Sequence, residues 1–224
     1  STPTSTSTND QRSLKHIKEP WEYIMIENFL SPERWNAIKN LATIELENYY
    51  QWINTKDEKI YFNKANRSRN KYVSYPEDDI IPEVNDLFFD FDLPHRGYTG
   101  KLAKIVHWAI APPNWYYPTH IDNRSRISTS ILYVSPDKSD GTVIAKNSSI
   151  NDMGDHEAAN QEDTYNYKTD WKPNSLMFHN PIPNVSWHAI RNTTDKPRVT
   201  LNTFIVQPDL VSKGRCYSDH ILEI

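Results

Sequence analysis

Residues Pro118 to Val134 read "PTHIDNRSRISTSILYV", a histidine and an aspartate two positions apart followed by a run in which β-branched and polar residues alternate. Such alternation marks a strand with one face buried, because successive side chains on a strand point to opposite faces. By the same parity, His120 and Asp122 on a strand project the same way and can both reach one ion. A His-x-Asp pair also arises by chance, so it acquires meaning only with a third ligand and a structural context.

The context is a series of short β-rich runs on either side of that stretch. "KIVHWAIA" (104–111) precedes it, and "GTVIA" (141–145), "NSLMFH" (174–179), "VSWHAIRN" (185–192) and "RVTLNTFIVQ" (198–207) follow, separated by turn residues. Strands in that number with polar connections predict a mainly β domain, a sandwich or barrel with its core at about 101–207 and helices flanking it. With only five Gly against fifteen Pro, the turns fall mostly to Pro, Asn and Asp. Residues 147–170 interrupt the series as a long acidic, polar loop whose length suits a lid or a surface excursion.

Upstream, residues 1–13 are rich in Ser and Thr with no apolar side chain to bury, and are expected to be a flexible tail preceding a single domain over 14–224. "WEYIMIENFL" reads as a strand. It leads into a helix with Ser31 as N-cap, Pro32 in the first helical position and Trp35, Ile38, Leu41 and Ala42 at helical spacing. A second helix is expected from Pro82 to Phe88, and the basic stretch 63–71 reads as a solvated loop.

The formal net charge of −4 supplies no basic field to draw the chain onto nucleic acid or an acidic membrane. No apolar run approaches the roughly 18 residues that span a bilayer, and the N-terminus lacks the pattern of a signal peptide, so a soluble cytoplasmic protein is expected. Cys216 is the single cysteine, which leaves no intrachain disulfide. Oligomeric state is not readable.

Candidates for the third ligand are His156, His179, His188 and His220. His188 stands out because its strand turns through "NTTDKP" into a second strand that begins with Arg198. Two histidines and one carboxylate on one face are the facial set expected of non-haem Fe(II) sites, whose open positions receive substrate and oxygen. An always-charged guanidinium nearby suits bidentate capture of a carboxylate too distant to chelate the metal. His156 lies in the acidic loop, and His179 is followed by prolines with no such arginine, so both read as structural or surface residues.

The order His120-x-Asp122, then His188, then Arg198 ten residues on, with Tyr133 between, resembles the Fe(II)/2-oxoglutarate-dependent dioxygenases, specifically their prolyl-4-hydroxylase-like branch. "HIDNRSRISTSILYVSPDKSDGTVI" and the N-terminal "YIMIENFLSPERWNAI" carry the likeness, which covers Ile105 to Gln207 best. It implies a double-stranded β-helix, a jelly-roll or cupin-like barrel buttressed by the N-terminal helices. It further implies Fe(II) held by His120, Asp122 and His188, and 2-oxoglutarate clamped by Arg198 with the Tyr133 hydroxyl as a second donor. Thr129, Thr200 and Asn202 fall on the faces expected to line the same pocket. Arg126, Trp115, Tyr116 and Tyr117 are candidate substrate contacts. The implied reaction consumes O2, releases succinate and CO2 and hydroxylates a peptidyl or small-molecule substrate, with ascorbate as auxiliary reductant. The chain departs from the family in having Asp140-Gly141 where two glycines are common, and "APPNWYYP" before the metal histidine.

Two other functions fit the same residues. One is a zinc-type hydrolase using the two histidines and the aspartate, which has no need of Arg198. The other is a non-catalytic β-barrel binding module of oxygenase descent.

Overall fold

The computed structural model describes residues 12–54, 69–72, 79–92, 101–122, 125–145, 167–207 and 221–223. Most of the acidic loop, the bulk of the basic stretch, His156, His220 and Cys216 lie outside these residues.

Two antiparallel sheets face each other. The larger runs in the order β1 (Ser13–Ile17), β2 (Tyr23–Glu27), β9 (Ser175–His179), β6 (Arg126–Ser135), β11 (Arg198–Val206), β4 (Lys101–Ala111) and β12 (Ile221–Glu223), with β3 (Arg69–Tyr72) also paired to β4. The smaller runs β5 (Trp115–His120), β10 (His188–Asn192), β7 (Thr142–Ile144) and β8 (Tyr167–Lys168). This is the double-stranded β-helix, mainly β with flanking helices, that the resemblance implies. Strand β1 begins at Ser13, inside the stretch read as a tail, and pairs along its length with β2.

Helix α1 (Pro32–Asn54) starts where its signals place it: Arg34 N donates to the Ser31 hydroxyl at 3.3 Å and Trp35 N to the Ser31 carbonyl at 2.8 Å. Helix α2 is shorter than expected, Glu83–Leu87, and continues as a π-helical turn over Phe88–Asp92. No helix among the described residues is long and apolar enough to cross a membrane.

Strand parity divides the large sheet into two faces. Ile24, Ile26, Val106, Trp108, Ile110, Leu132, Val134, Leu176, Phe178, Val199 and Leu201 point outward and bury Ile38, Ala42 and Tyr49 of α1 with Val84 and Leu87 of α2. Removing apolar area of this kind from water stabilises by about 25 cal/mol per Å2, so this layer is a main source of the fold's stability. The opposite face, with Tyr23, Met25, Ile131, Tyr133 and Met177, turns toward Ile144 of the smaller sheet and forms the inside of the barrel.

One irregularity matters for the site. Ile205 pairs with Ser128 but Val206 pairs with Arg126, so Ile127 is an extra residue in β6. Such a bulge reverses the parity of what precedes it. Plain alternation along β6 would put Ile127 on the face of Thr129, Ile131 and Tyr133; instead it packs with Phe88, Leu102 and Ile205. Arg126 is thereby brought to the inner face, its guanidinium 3.5 Å from the centre of the Phe204 ring.

Candidate metal centre and cavity

The smaller sheet brings the histidines together by register: His188 is the direct cross-strand partner of His120, and their ring centroids lie 4.3 Å apart. Asp122 reaches them differently from expectation. Strand β5 ends at His120, so Asp122 sits in the turn before β6 rather than on a continuing strand. Its Oδ1 nonetheless lies 3.9 Å from His120 Nε2 and 4.0 Å from His188 Nε2. One ligand atom from each of the three residues falls within 4.8 Å of the others, close enough for a single ion.

The centre's tautomers and charges suit a metal. His188 Nδ1 is 3.0 Å from the Ser186 carbonyl, which can only accept, so Nδ1 carries the proton and Nε2 offers its lone pair. Asp122 is 7% exposed, yet its carboxyl is held below the usual carboxylate range. Burial works against ionisation there, but the Arg126 guanidinium and the neighbouring imidazoles outweigh it. Arg126 Nη1 donates to Oδ1, and the Thr129 hydroxyl donates to Oδ2 at 2.6 Å.

These contacts redefine two residues. Thr129, expected beside the cofactor, orients the carboxylate ligand, and Arg126, expected to touch substrate, is engaged with Asp122. His179, read as structural or surface, is buried behind the centre with Nε2 3.8 Å from Asp122 Oδ2 and its ring 5.2 Å from that of His188.

A cavity of about 250 Å3 opens over His120, Asp122 and His188. Trp115, Tyr117, Arg126, Thr129, Arg198 and Asn202 all line it, as does His107, which the sequence reading passed over. Its signal was available, since an inward-facing histidine in the apolar run "KIVHWAIA" is a buried polar group needing a reason. Tyr117 packs edge-on against His120 with centroids 4.7 Å apart. The Tyr116 side chain lies outside the described residues.

Arg198 is 1% exposed and held by its Nε, which donates to the Asp140 carbonyl at 3.0 Å. The rings of Tyr133 and Trp171, stacked 4.7 Å apart, lie 5.5 and 5.0 Å from its guanidinium carbon. Its Nη2 is buried with no hydrogen-bond partner. The Tyr133 hydroxyl is placed otherwise than the resemblance implies. It bonds the Thr142 hydroxyl at 2.8 Å and the Thr169 hydroxyl at 2.6 Å, and Tyr133 is not among the residues lining the cavity. Thr200 is fully buried and likewise not among them.

The departure at Asp140-Gly141 has a structural account. The Asp140 carboxylate accepts from Thr193 N at 2.7 Å and from the Thr193 hydroxyl at 2.6 Å, and pairs with Lys168. It therefore ties the turn before Arg198 to the loop whose carbonyl holds Arg198. Gly141 must be glycine, because a Cβ there would lie 1.8 Å from the Thr169 carbonyl oxygen.

No protein-family model matches the sequence, and no curated protein is significantly similar to it. Solved structures are similar in fold. A prolyl hydroxylase from Trichoplax adhaerens, in complex with a hypoxia inducible factor oxygen degradation domain peptide fragment, superposes with a TM-score of 0.56 at 16% identity, covering 84% of each chain. The collagen prolyl hydroxylase of Paramecium bursaria Chlorella virus-1, in its 2-oxoglutarate complex, gives 0.51 at 16% identity over 82% of this chain and 94% of its own. The non-haem α-ketoglutarate-dependent epimerase SnoN of nogalamycin biosynthesis gives 0.54 at 12% identity over 83% and 78%. Identities this low speak for architecture and not for substrate. The resemblance seen in the sequence holds at that level: this chain is built on the fold of the Fe(II)/2-oxoglutarate oxygenases, with prolyl hydroxylases among its structural kin.

Proposed function

We propose that the chain is an Fe(II)- and 2-oxoglutarate-dependent oxygenase that hydroxylates a peptidyl or small-molecule substrate. The observation that carries this reading is Arg198 Nη2, a buried guanidinium nitrogen without a partner on a residue lining the same cavity as the His120, Asp122 and His188 cluster. An unmet buried donor on a charged group is costly, and a carboxylate entering the cavity would satisfy it. A zinc hydrolase would leave that donor unexplained.

The residues fit the groups implied. Two imidazoles and one carboxylate on one side of a cavity, with the other side open, match the donor preference of Fe(II) in oxygenases. His120, Asp122 and His188 would hold the metal, and Arg198 would receive the distal carboxylate of 2-oxoglutarate. When bound, the pair supplies oxidative decarboxylation to succinate and CO2 coupled to oxygen insertion, with ascorbate as auxiliary reductant.

The chain's own residues supply the geometry. Thr129 and Arg126 fix the two oxygens of Asp122, Ser186 fixes the tautomer of His188, and Asp140 with the Tyr133 and Trp171 rings fixes Arg198. The test is anaerobic addition of Fe(II) and 2-oxoglutarate. A visible charge-transfer band is expected, lost in His188→Ala; iron-loaded wild type without such a band would remove the reading.

A further inference from the structure

We propose that Asn202, held by His107, is the specificity-determining acceptor for the oxygenated substrate and takes an uncharged group that brings an N–H or O–H donor; this rests on the oxygenase reading above. Asn202 and His107 are direct cross-strand partners on β11 and β4, and both line the cavity. Asn202 Nδ2 lies 3.3 Å from His107 Nε2, while Asn202 Oδ1 is buried with no hydrogen-bond partner. Burial pushes the His107 imidazole down to about 3, so it is neutral and can accept from the amide. That contact turns the amide NH2 toward His107 and leaves the carbonyl oxygen to a visitor.

The co-substrate does not account for this acceptor. Asn202 is four residues beyond Arg198 on one strand, about 13 Å at the rise of an extended chain. A five-carbon dicarboxylate has only four C–C bonds of about 1.5 Å each. The Arg198 side chain, moreover, turns toward Asp140, Tyr133 and Trp171. A group clamped there and reaching the metal ends short of Asn202.

Charge decides the class of visitor. Among the described residues lining the cavity, the Lys and Arg side chains are Arg126 and Arg198. Arg126 is paired with Asp122 and packed on Phe204, and Arg198 is reserved for 2-oxoglutarate. A substrate carboxylate or phosphate would enter with no counter-charge, a heavy penalty in a buried site. An amide or alcohol would instead satisfy Asn202 Oδ1, with Trp115 and Tyr117 offering aromatic contact area. Free amino acids and phosphorylated substrates are thereby disfavoured.

Benzamide and acetophenone form a near-isosteric, uncharged probe pair that differs in the N–H donor. With Mn(II) in the metal site and saturating 2-oxoglutarate, paramagnetic relaxation of the probe's ring protons reports entry into the cavity. Benzamide should be relaxed at least fivefold more than acetophenone by wild type. Asn202→Leu, or Asn202→Ala should the leucine variant not fold, should bring the ratio to within twofold of unity and leave 2-oxoglutarate affinity within twofold of wild type. Equal relaxation of both probes by wild type overturns the proposal, as does a preference that survives both substitutions. Loss of 2-oxoglutarate binding in the Asn202 variants as large as in Arg198→Ala would assign Asn202 to the co-substrate clamp and also overturn it. Wild type that fails to bind 2-oxoglutarate at all would fail at the earlier step, taking the oxygenase reading down with this proposal.

Discussion

Arg126 Nη1 donates to the oxygen of Asp122 that faces both ligand histidines. The guanidinium is thus the counter-charge of a buried carboxylate, alone without a metal and jointly with one. Arg126→Leu should destabilise the metal-free protein by about 3–5 kcal/mol, the cost of leaving one partner of a buried pair unpaired. A divalent ion should restore much of that loss, so the rise in Tm on adding Mn(II) should be larger for the variant than for wild type. Equal rises would mean that the arginine carries no share of the carboxylate's charge.

Arg198→Ala should weaken 2-oxoglutarate binding by about two orders of magnitude with metal affinity intact, in keeping with the loss of a buried charged contact. Arg198→Lys should recover only part, since an ammonium cannot bond the Asp140 carbonyl and present a fork to a carboxylate together. Asp140→Ala should lower 2-oxoglutarate affinity several-fold by releasing Thr193 and the loop that positions Arg198. Calorimetric titration of all three with 2-oxoglutarate orders them; an Asp140→Ala affinity equal to wild type would show that the backbone carbonyl of residue 140 holds Arg198 without help from the Asp140 carboxylate.

His107 and His179 are buried and both pushed down to about 3, chiefly by desolvation. In the unfolded chain each takes a proton near pH 6.5. The folded value lies below the unfolded one, so stability is full above about pH 6.5 and falls as pH drops from there toward 3. The slope is at most about 1.4 kcal/mol per pH unit for each histidine. Urea midpoints at pH 7.5, 6.5 and 5.5 should decline, and His107→Leu should flatten the decline. A profile level across that range would mean that the two rings are protonated in the fold.

Lys104 is fully buried, its Nζ donating to both oxygens of Asp79 at 2.8 and 2.7 Å and to the Ile81 carbonyl at 2.7 Å. This pair ties β4 to the segment entering α2. Asp79→Asn should cost about 3–5 kcal/mol at pH 7 and Lys104→Met less, because the first strands a fully buried ammonium whereas the second leaves a partly exposed carboxylate that keeps its bonds from Ile81 N and the Asn85 amide. Without its partner the lysine's folded value lies further below its unfolded one, so the Asp79→Asn deficit should shrink as pH rises from 7 to 10. Chemical denaturation at the two pH values measures it.

The strands, the α1 cap and the convergence of His120, Asp122 and His188 were legible from local pattern, namely alternation, motif spacing and a Ser-Pro start, although Asp122 meets the histidines from beyond the end of β5 and not by strand parity. What stayed illegible depends on register between distant strands. Nothing near Ile127 announces that Val206 pairs with Arg126, so the inward turn of Arg126 and the exit of Ile127 to the helix side could not be read. The same holds for the Tyr133 hydroxyl, whose partners Thr142 and Thr169 come from β7 and from the residue just past β8. The place of His179, read as structural or surface, could not be narrowed further because its neighbours in sequence are unremarkable while its neighbours in space are Asp122, His188 and Trp21.

The extra residue in β6 gives the centre a vulnerability unlike that of its ligands. Flattening the bulge, so that Val206 paired with Ile127 instead of Arg126, would alter no ligand and no clamp, yet it would turn Ile127 inward and swing Arg126 out toward the helices. Asp122 would keep its place in the chain and lose its ionic partner. For a library of variants, a polar substitution at Ile127, which removes its seat among Phe88, Leu102 and Ile205, thus reaches the centre without touching a residue that lines the cavity.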